Sequence, residues 1–387
     1  MLGQENRTKE TEMQFHADTT CAHRTGFVTA ELYYWHDTLN WCGFLEPGLE
    51  MQPGLHFEHP ETKRRLQNLV EATELAPKLA SHRPRPAGDE ILRLVHPQSH
   101  IDHLAKICAA GGGDAGELTP VGPASLEIAR LAVGGVTAAV DEVMTGAWDN
   151  GYVLCRPPGH HALPDKAMGF CLFANAAIGA KYAQERHGVG RVAVVDWDVH
   201  HGNGTEAIFY DDPSVLTISL HQDNLFPLHS GPMEALGEGA GLGHNLNIPL
   251  PPGTGTGGYK HAFEELVLPA LDAFAPELIL VASGFDSCAM DPLGMQMLKS
   301  SDYAWMMGQL MELAARHAEG RIIVTHEGGY SPQYVPYCGL AVLETLAGTS
   351  QRLTDPYDEI IAAFGGQSLS HDQQLRIAQV KEMFFGG

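Results

Sequence analysis

Short apolar runs recur along the chain, and each is followed by a polar or glycine-containing stretch. Runs of this length are typical of strands in a parallel sheet that is covered on both faces. In open α/β sheets, ligands bind at the edge formed by the carboxyl ends of such strands. We predict strands at 91–95, 152–155, 191–195, 215–221, 278–282 and 321–325.

Helical patterns separate these runs. The segment Ser125–Met144 is rich in Ala, Val and Leu, so we predict a long helix that packs against the sheet. Pro269 is expected to kink one later helix, and Ser301 is expected to be the N-cap of another. The other predicted helices begin at 61 or span 174–184, 263–274 and 302–317.

Strands that alternate with helices, without an internal repeat or a linker, indicate a single α/β domain. We predict a mainly parallel central sheet with helices on both faces. The domain is placed at 24–387. Residues 1–23 are charged and lack an apolar segment, so we expect a mobile N-terminal tail rather than a secretory signal.

Polar residues follow the run at 191–195. Side chains alternate along an extended chain, so Asp196, Asp198 and His200 are expected to project to one side. Carboxylate and imidazole ligands suit a divalent ion such as zinc, and a catalytic zinc site needs three protein ligands and one open position. The alternative is that the acids cap the next helix and the histidine is a surface group. Asp286, after the run at 278–282, is our candidate for the third ligand.

Two further strand ends carry candidate catalytic groups. The run at 152–155 leads into Arg-Pro-Pro-Gly-His-His, where the prolines stiffen the turn that presents His160 and His161. Histidines are suited to general acid and base catalysis because their charge changes near neutral pH. After the last run, paired glycines precede Tyr330. Its hydroxyl is expected either to stabilise an oxyanion or to lie at the surface of a plain turn.

Two other segments have alternative interpretations. Phe170, beside a glycine, is either a core residue or the wall of an apolar channel. The loop at 43–60 is long enough to be functional, so 51–57 either lies near the rim of a site or forms an ordinary surface connection.

Composition narrows the classes of function. The chain of 387 residues has 24 Lys and Arg and 47 Asp and Glu, so its formal net charge is 24 − 47 = −23. This charge disfavours direct binding to nucleic acid, and it either attracts cationic partners or serves solubility alone. No apolar stretch approaches the ~18 residues of a membrane span. Seven scattered cysteines without a C-x-x-C pair indicate neither a disulfide framework nor a cysteine–zinc site, so we expect a cytoplasmic protein.

Four motifs in order carry a resemblance to a known family. They are R-P-P-G-H-H (156–161), D-W-D-V-H-H-G-N-G-T (196–205), S-G-F-D (283–286) and E-G-G-Y (327–330). Together they resemble the zinc-dependent histone deacetylases over about 26–366. The residues of the second motif are most similar to those of the bacterial class II histone deacetylase-like amidohydrolases. This resemblance implies the three-layer arginase/deacetylase fold and the removal of acetyl groups from lysine side chains or similar amines.

The resemblance also assigns roles to residues. It implies that one catalytic Zn²⁺ is bound by Asp198, His200 and Asp286, and that Tyr330 hydrogen-bonds the acyl oxygen. The remaining catalytic residues that it implies are His160, His161, Asp196 and Asn203.

Asn203 is a departure from class I deacetylases, which have aspartate there, and it matches the class II pattern. We hypothesise that this neutral partner stabilises the imidazolium of His161 less than a carboxylate does, so that the histidine stays a free base at lower pH. An unchanged acidic limb in the pH–rate profile of Asn203→Asp would rule this out.

Further sites are implied by the same resemblance. One structural K⁺ is expected at Asp196, Asp198, Ser219 and the backbone of His200 and Leu220. A second is expected near Phe209, Asp212 and Val215. The tunnel for the acyl-lysine stem is expected to be lined by Gly169, Phe170 and Phe226, with an acidic rim residue at Asp114 or Glu117.

The expected partner is an acetylated lysine or another acetylated amine, with no nucleic acid or membrane, and we expect a homo-oligomer. An acetylpolyamine deacetylase is the alternative enzyme, and an acyl-lysine binding module is the alternative without catalysis. Tyr330 favours the enzyme, because relatives with histidine at this position are weak deacetylases. The physiological substrate, the acyl length and the native metal stay open, since Fe²⁺ or Co²⁺ also suits two carboxylates and one histidine.

Overall fold

Eight strands form the central sheet in the computed structural model, which describes residues 20–349 and 353–386. All of their pairings are parallel, and the strand order across the sheet is β6-β5-β4-β7-β8-β3-β1-β2. The predicted α/β class with a mainly parallel sheet is confirmed. The strands are β1 (Thr25–Val28), β2 (Ala80–Ser81), β3 (Asn150–Val153), β4 (Val192–Asp196), β5 (Val215–Gln222), β6 (Asn245–Leu250), β7 (Leu278–Ser283) and β8 (Ile322–His326).

Helices cover both faces of the sheet. In chain order they are α1 (Glu61–Ala72), α2 (Asp89–Leu92), α3 (Gln98–Ala109), α4 (Ser125–Met144), α5 (Asn175–His187), α6 (Asn203–Phe209), α7 (Thr256–Ala262), α8 (Leu268–Phe274), α9 (Ser300–His317), α10 (Val335–Ala347), α11 (Asp358–Ala362) and α12 (His371–Phe385). Two-residue strands at Gly113–Asp114, Gly116–Glu117, Pro120–Val121 and Ala167–Met168 lie outside the main sheet.

Alternate residues of the central strands pack on opposite faces, which explains why the strands are apolar at almost every position. Val192 and Val194 belong to the cluster that includes α4 and α5. Ala193 and Val195 belong to the cluster that includes α1, α9 and α10. Because both faces are buried, the sequence of each strand lacks the polar alternation of a half-exposed sheet.

The structure corrects several predicted elements. The strand predicted at 91–95 is wrong, because Asp89–Leu92 is one helical turn. Asp89 and Glu90 lie in the first turn, where acidic side chains favour the helix dipole, and this signal outweighed the apolar run. The predicted N-cap of α9 is also wrong, since Lys299 takes that position and the helix begins at Ser300. Near Pro269, where a kink was expected, the helix has a π-helical turn, Phe263–Val267, that ends two residues before the proline.

Three strands of the main sheet were not predicted, and one of them, Ala80–Ser81, has only two residues. Thr25–Val28 is short, and its neighbours in the sequence carry no distinct pattern. Asn245–Leu250 contains Pro249, which argues against a central strand, but this strand lies at the edge of the sheet, where proline is tolerated.

Most of the predicted N-terminal tail, residues 1–19, lies outside the described residues. Ala22 and His23, at the end of the predicted tail, donate backbone hydrogen bonds to Gly348 and Ala347. Across the described part of the chain, no helix combines the length and apolar character needed to cross a membrane.

The four motifs follow four neighbouring strands. β3 leads to His160 and His161, β4 to Asp198 and β8 to Tyr330, while β7, between β4 and β8, leads to Asp286. Because parallel strands end at the same edge, all four motifs meet there.

Candidate active site

The segment after β4 alternates as predicted. Trp197 and Val199 are buried in the protein interior. Trp197 donates its indole N–H to Ser283 Oγ at 2.9 Å. On the other side, Asp198 N donates to Asp196 Oδ1 and His200 N donates to Asp198 Oδ1, each at 3.0 Å. These local bonds fix the directions of both carboxylates.

Asp198, His200 and Asp286 form a convergent triad. One potential ligand atom from each residue lies within 4.8 Å of the others, and all three residues are buried. His200 Nδ1 is 3.0 Å from Asp198 Oδ1 and 3.2 Å from Asp286 Oδ2. Asp286 Oδ1 accepts the N–H of Val199, whereas its Oδ2 has no hydrogen-bond partner of suitable geometry among the described residues. A buried oxygen of this kind is costly unless a cation pairs with it.

The electrostatics of the triad also favour a cation. Burial alone would lower the pKa of His200, but the carboxylates of Asp198 and Asp286 raise that pKa to about 10. Burial and the charge of Asp198 together raise the pKa of Asp286 to about 6. Two buried carboxylates and one imidazole form a donor set that suits a divalent metal such as zinc.

Two histidines lie beside the triad, with ring centroids 3.9 Å apart. His160 Nδ1 donates to Asp196 Oδ2 at 2.9 Å, and His161 Nδ1 pairs with Asn203 Oδ1 at 2.7 Å. Burial would lower the pKa of His160, but Asp198 and Asp196 raise it to about 10. Burial, followed by the charges of His160 and of the nearby His200, holds the pKa of His161 well below its usual value. The surroundings therefore favour the protonated form of His160 and the neutral form of His161.

Glu327 braces the site in a way that the sequence pattern did not predict. Its Oε2 accepts the backbone N–H groups of Gly159 and His160, at 2.6 and 3.1 Å, so it holds the turn that carries both histidines. Thr325 Oγ1 donates to its other oxygen at 2.9 Å. An acidic residue directly after a buried strand was the available signal.

Tyr330 is 6% exposed, so it is not a surface tyrosine. Its ring lies nearly perpendicular to that of Phe170, with centroids 5.8 Å apart. A methyl group added at Gly328 would overlap oxygens of Asp286 and Asp198 and would lie 3.0 Å from Tyr330 Oη. The tyrosine hydroxyl and the ligand oxygens therefore border one small space, which the absence of a side chain at Gly328 keeps open.

A cavity of about 200 Å³ leads to this space. Phe170 borders it, so the channel interpretation of this residue is the one that the structure supports. Gly169 has φ +53°, a conformation that favours glycine. Four lining residues were not predicted, and one of them lies in the long 43–60 loop. The lining residues are Phe44, Leu118, His161, Gly169, Phe170, His200, Leu225, Phe226, Leu293 and Tyr330.

The predicted rim residues, Asp114 and Glu117, do not line the cavity, and each has other partners. Asp114 Oδ1 accepts the N–H groups of Gly116 and Thr119, which braces a turn. Glu117 pairs with Lys166 at 2.6 Å and precedes the lining residue Leu118.

The 51–57 segment also reaches the site. The ring of His56 contacts that of Phe170, with centroids 4.8 Å apart.

The residues predicted to hold K⁺ fall into two groups. Asp196 and Ser219 are paired in register on β4 and β5, and Leu220 follows Ser219 in β5. Phe209, Asp212 and Val215 lie in one turn between α6 and β5: Asp212 N donates to Phe209 O at 3.0 Å, and Val215 N donates to Asp212 O at 3.4 Å.

Comparison with known proteins agrees with this geometry. Residues 56–346 match the family model described as the histone deacetylase domain. The chain is 50% identical over 365 residues to a histone deacetylase-like amidohydrolase of Pseudomonas aeruginosa, covering 93% of this chain and 96% of that protein. It is 38% identical over 312 residues to histone deacetylase 8 of Arabidopsis thaliana, covering 77% and 82% of the two chains.

A solved structure shares the fold. The crystal structure of the HDA15 HD domain superposes with a TM-score of 0.82 at 30% sequence identity, covering 94% of both chains. The matched domain includes the histidine pair, the triad and Tyr330. The chain therefore belongs to the histone deacetylase family, with the arginase/deacetylase type of α/β fold.

Proposed function

We propose that this protein is a zinc-dependent amidohydrolase that removes acetyl groups from lysine side chains. One observation carries the proposal: the triad of Asp198, His200 and Asp286 lies at the inner end of a narrow apolar cavity, beside Tyr330 Oη. A family of deacetylases and a site of this shape together favour hydrolysis of a linear amide.

The triad would hold the metal through one atom from each residue. Asp286 Oδ2 is buried and has only the nearby His200 ring beside it, without a well-formed hydrogen bond, so a cation bound there would compensate for its burial. When bound, Zn²⁺ would act as a Lewis acid on the acyl carbonyl and would lower the pKa of an attacking water towards about 7.

The two histidines would share the proton transfers. His161 Nδ1 donates to the amide oxygen of Asn203, which leaves Nε2 free to accept a proton from the attacking water. His160 is paired with the carboxylate of Asp196, which stabilises its protonated form, so it would donate to the leaving amine. The water oxygen first bonds to the acyl carbon, and negative charge develops on the acyl oxygen. The bond from that carbon to nitrogen then breaks as the nitrogen takes the proton from His160, so the products are acetate and the free amine.

Tyr330 and the aromatic walls would bind the substrate. The tyrosine hydroxyl would donate to the acyl oxygen as negative charge develops there. Phe170 and Phe226 line the cavity, and their apolar surfaces suit the methylene stem of a lysine side chain. They would also exclude water from the reacting amide.

The lining of the cavity supports a lysine substrate over a polyamine. None of its described lining residues is an aspartate or glutamate, whereas a bound polyamine has secondary ammonium groups that need such partners. The net charge of −23 would attract polyamines only from a distance.

The test compares the hydrolysis of an acetyl-lysine peptide, its trifluoroacetyl analogue and N-acetylspermidine by metal-loaded protein. We expect the peptide to be the better natural substrate. Tyr330→Phe should lower kcat by about 100-fold or more without loss of metal, the usual cost of removing one oxyanion donor. Preference for acetylspermidine would make the protein a polyamine deacetylase, and binding of the peptide without hydrolysis would contradict the proposed activity.

We also propose one or two structural K⁺ ions. The adjacent Asp196 and Ser219 support the first site. If it is occupied, the melting temperature should be higher in KCl than in tetramethylammonium chloride at equal ionic strength. Equal values in the two salts would contradict it.

We further propose that the protein is cytoplasmic and that residues 24–387 form its single domain. We also propose that it forms a homo-oligomer. Exposed apolar side chains in the loops near the cavity support this, among them Leu49, Leu55 and Leu228. Sedimentation at the mass of one 41.8 kDa chain would contradict it.

A further inference from the structure

We propose that Asp291 is a positioning residue that holds Tyr330 against the metal triad. The inference rests on the proposed function of Tyr330. Asp291 Oδ2 accepts the backbone N–H of Tyr330 at 2.6 Å, and its Oδ1 accepts the N–H of Leu293 at 2.9 Å. One carboxylate thus joins the loop after β7 to the loop after β8, 39 residues further along the chain.

The backbone around Tyr330 needs such a restraint. Two glycines precede the tyrosine, and Gly329 has φ +116°, so no side chain limits their torsions. Gly328 is fixed on one side, because its N–H donates to Asp198 Oδ2 at 2.9 Å. Ser331 is fixed on the other side, because its carbonyl accepts the N–H of Tyr334 at 3.1 Å. Between these points, the bond to Asp291 sets the position of the Tyr330 backbone.

A carboxylate is suited to this task. Each of its two oxygens accepts one backbone N–H, so a single side chain holds both loops at once. Asparagine has one acceptor oxygen in place of two, so it cannot serve Tyr330 and Leu293 together. Because Leu293 and Tyr330 both line the cavity, the same side chain fixes one wall residue and the proposed oxyanion donor.

Asp291 is outside the triad, so its effect on the reaction is expected to act through Tyr330. Displacing a catalytic group by about 1 Å costs about 100-fold in rate. We therefore expect Asp291→Ala to lower kcat by about 10- to 100-fold with a much smaller change in KM, and Asp291→Asn to be intermediate. Zinc content should stay at the parent value.

The test is a double-mutant cycle with Tyr330→Phe, using an acetyl-lysine peptide. In the Tyr330→Phe background, Asp291→Ala should lower kcat by less than about 2-fold further, because the hydroxyl that it positions is absent. The matched control is Asp302→Ala. Asp302 is a buried carboxylate at the start of α9 that accepts the N–H of Lys299 at 3.0 Å and the hydroxyl of Thr256 at 2.9 Å. That variant should lower the melting temperature while leaving kcat near the parent value in both backgrounds.

Two results would overturn the proposed role of Asp291 without contradicting the proposed function of the protein. One is an unchanged kcat in Asp291→Ala. The other is an equal loss of kcat from Asp291→Ala in both backgrounds, which would mean that the carboxylate acts independently of Tyr330. Full activity of Tyr330→Phe by itself would contradict the proposed function, and the role of Asp291 with it.

Discussion

At the scale of single residues, the site depends on where side chains are absent as much as on where they are present. Gly328 leaves room beside Asp286 and Asp198, and Gly169 leaves room between His161 and Phe226. Each glycine lies next to a group with a proposed chemical role. A methyl group at either position would therefore change the geometry of the site without removing a functional group.

Gly169→Ala is expected to impair catalysis. The added methyl group would overlap His161 Cδ2 and lie 2.9 Å from Phe226 Cε1, so the proposed base must move. We expect kcat/KM for an acetyl-lysine peptide to fall by about 10-fold or more. Gly188→Ala is the control, because Gly188 also has positive φ, at +69°, but a methyl group there would meet no described atom within 4 Å. Both variants should lose about 1–2 kcal/mol of stability through backbone strain. Equal activity of the two would contradict this prediction.

Residues in short motifs could be predicted from the sequence, and residues from separate segments could not. Asp198, His200 and Asp286 follow apolar runs, and strand geometry alone brings such positions together. Phe44 and Leu293 come from loops whose paths depend on tertiary contacts. Asp291 is one of 47 acidic residues in the chain. Nothing in the sequence around it reveals that its two oxygens accept backbone N–H groups from separate segments.

At the scale of elements, helices and buried strands followed the apolar pattern more closely than edges and short turns did. Ser125–Met144 has the predicted bounds because one long apolar helix has few alternatives. By contrast, the five residues at 91–95, four of them apolar, fit either a strand or a helical turn, and the acidic residues before them decided for the helix. The edge strand Asn245–Leu250 was missed because it contains a proline. Proline is tolerated in an edge strand but not in a central one, and the local sequence does not show which of the two a strand will be.

The packing of α4 leads to a stability prediction. A methyl group at Gly134 would overlap the backbone carbonyl oxygen of Arg85, which cannot rotate away. We expect Gly134→Ala to lower the free energy of unfolding by about 1–3 kcal/mol. Gly308→Ala in α9 is the matched control, because a methyl group there meets no described atom within 4 Å; it should stabilise by about 0.5–1 kcal/mol. Urea unfolding measures both. An unchanged free energy of unfolding in Gly134→Ala would contradict this prediction, because it would show that the helix moves away from Arg85 without cost.

At the scale of the whole molecule, buried histidines link stability to pH. Burial lowers the pKa of His36 to about 3 and those of His56 and His96 to about 4. The unfolded chain titrates its histidines near pH 6.5, so below that pH it binds more protons than the folded chain does. The contribution of these histidines to stability is therefore complete above about pH 6.5, and it is lost as the pH falls towards the folded pKa values.

His36→Asn tests this coupling. As the pH falls from about 6 to about 4, each such histidine should lower the free energy of unfolding by up to about 1.4 kcal/mol per pH unit. The variant lacks one of them, so its stability should decline less steeply than that of the parent. Urea unfolding from pH 7.5 to 4.5 gives both curves, and the change in overall net charge largely cancels in their difference. Parallel curves would show that His36 does not stay neutral in the folded protein.

The most direct test of the proposed function is a zinc titration of chelator-treated protein, with release of acetate from an acetyl-lysine peptide as the measurement. Activity should be absent after chelation and should return in proportion to added Zn²⁺ until each chain holds one ion at the triad. Asp286→Ala should neither bind that ion nor recover, whereas Tyr330→Phe should bind it and stay nearly inactive. Full acetate release by the metal-free protein, or full recovery of Asp286→Ala, would contradict the account.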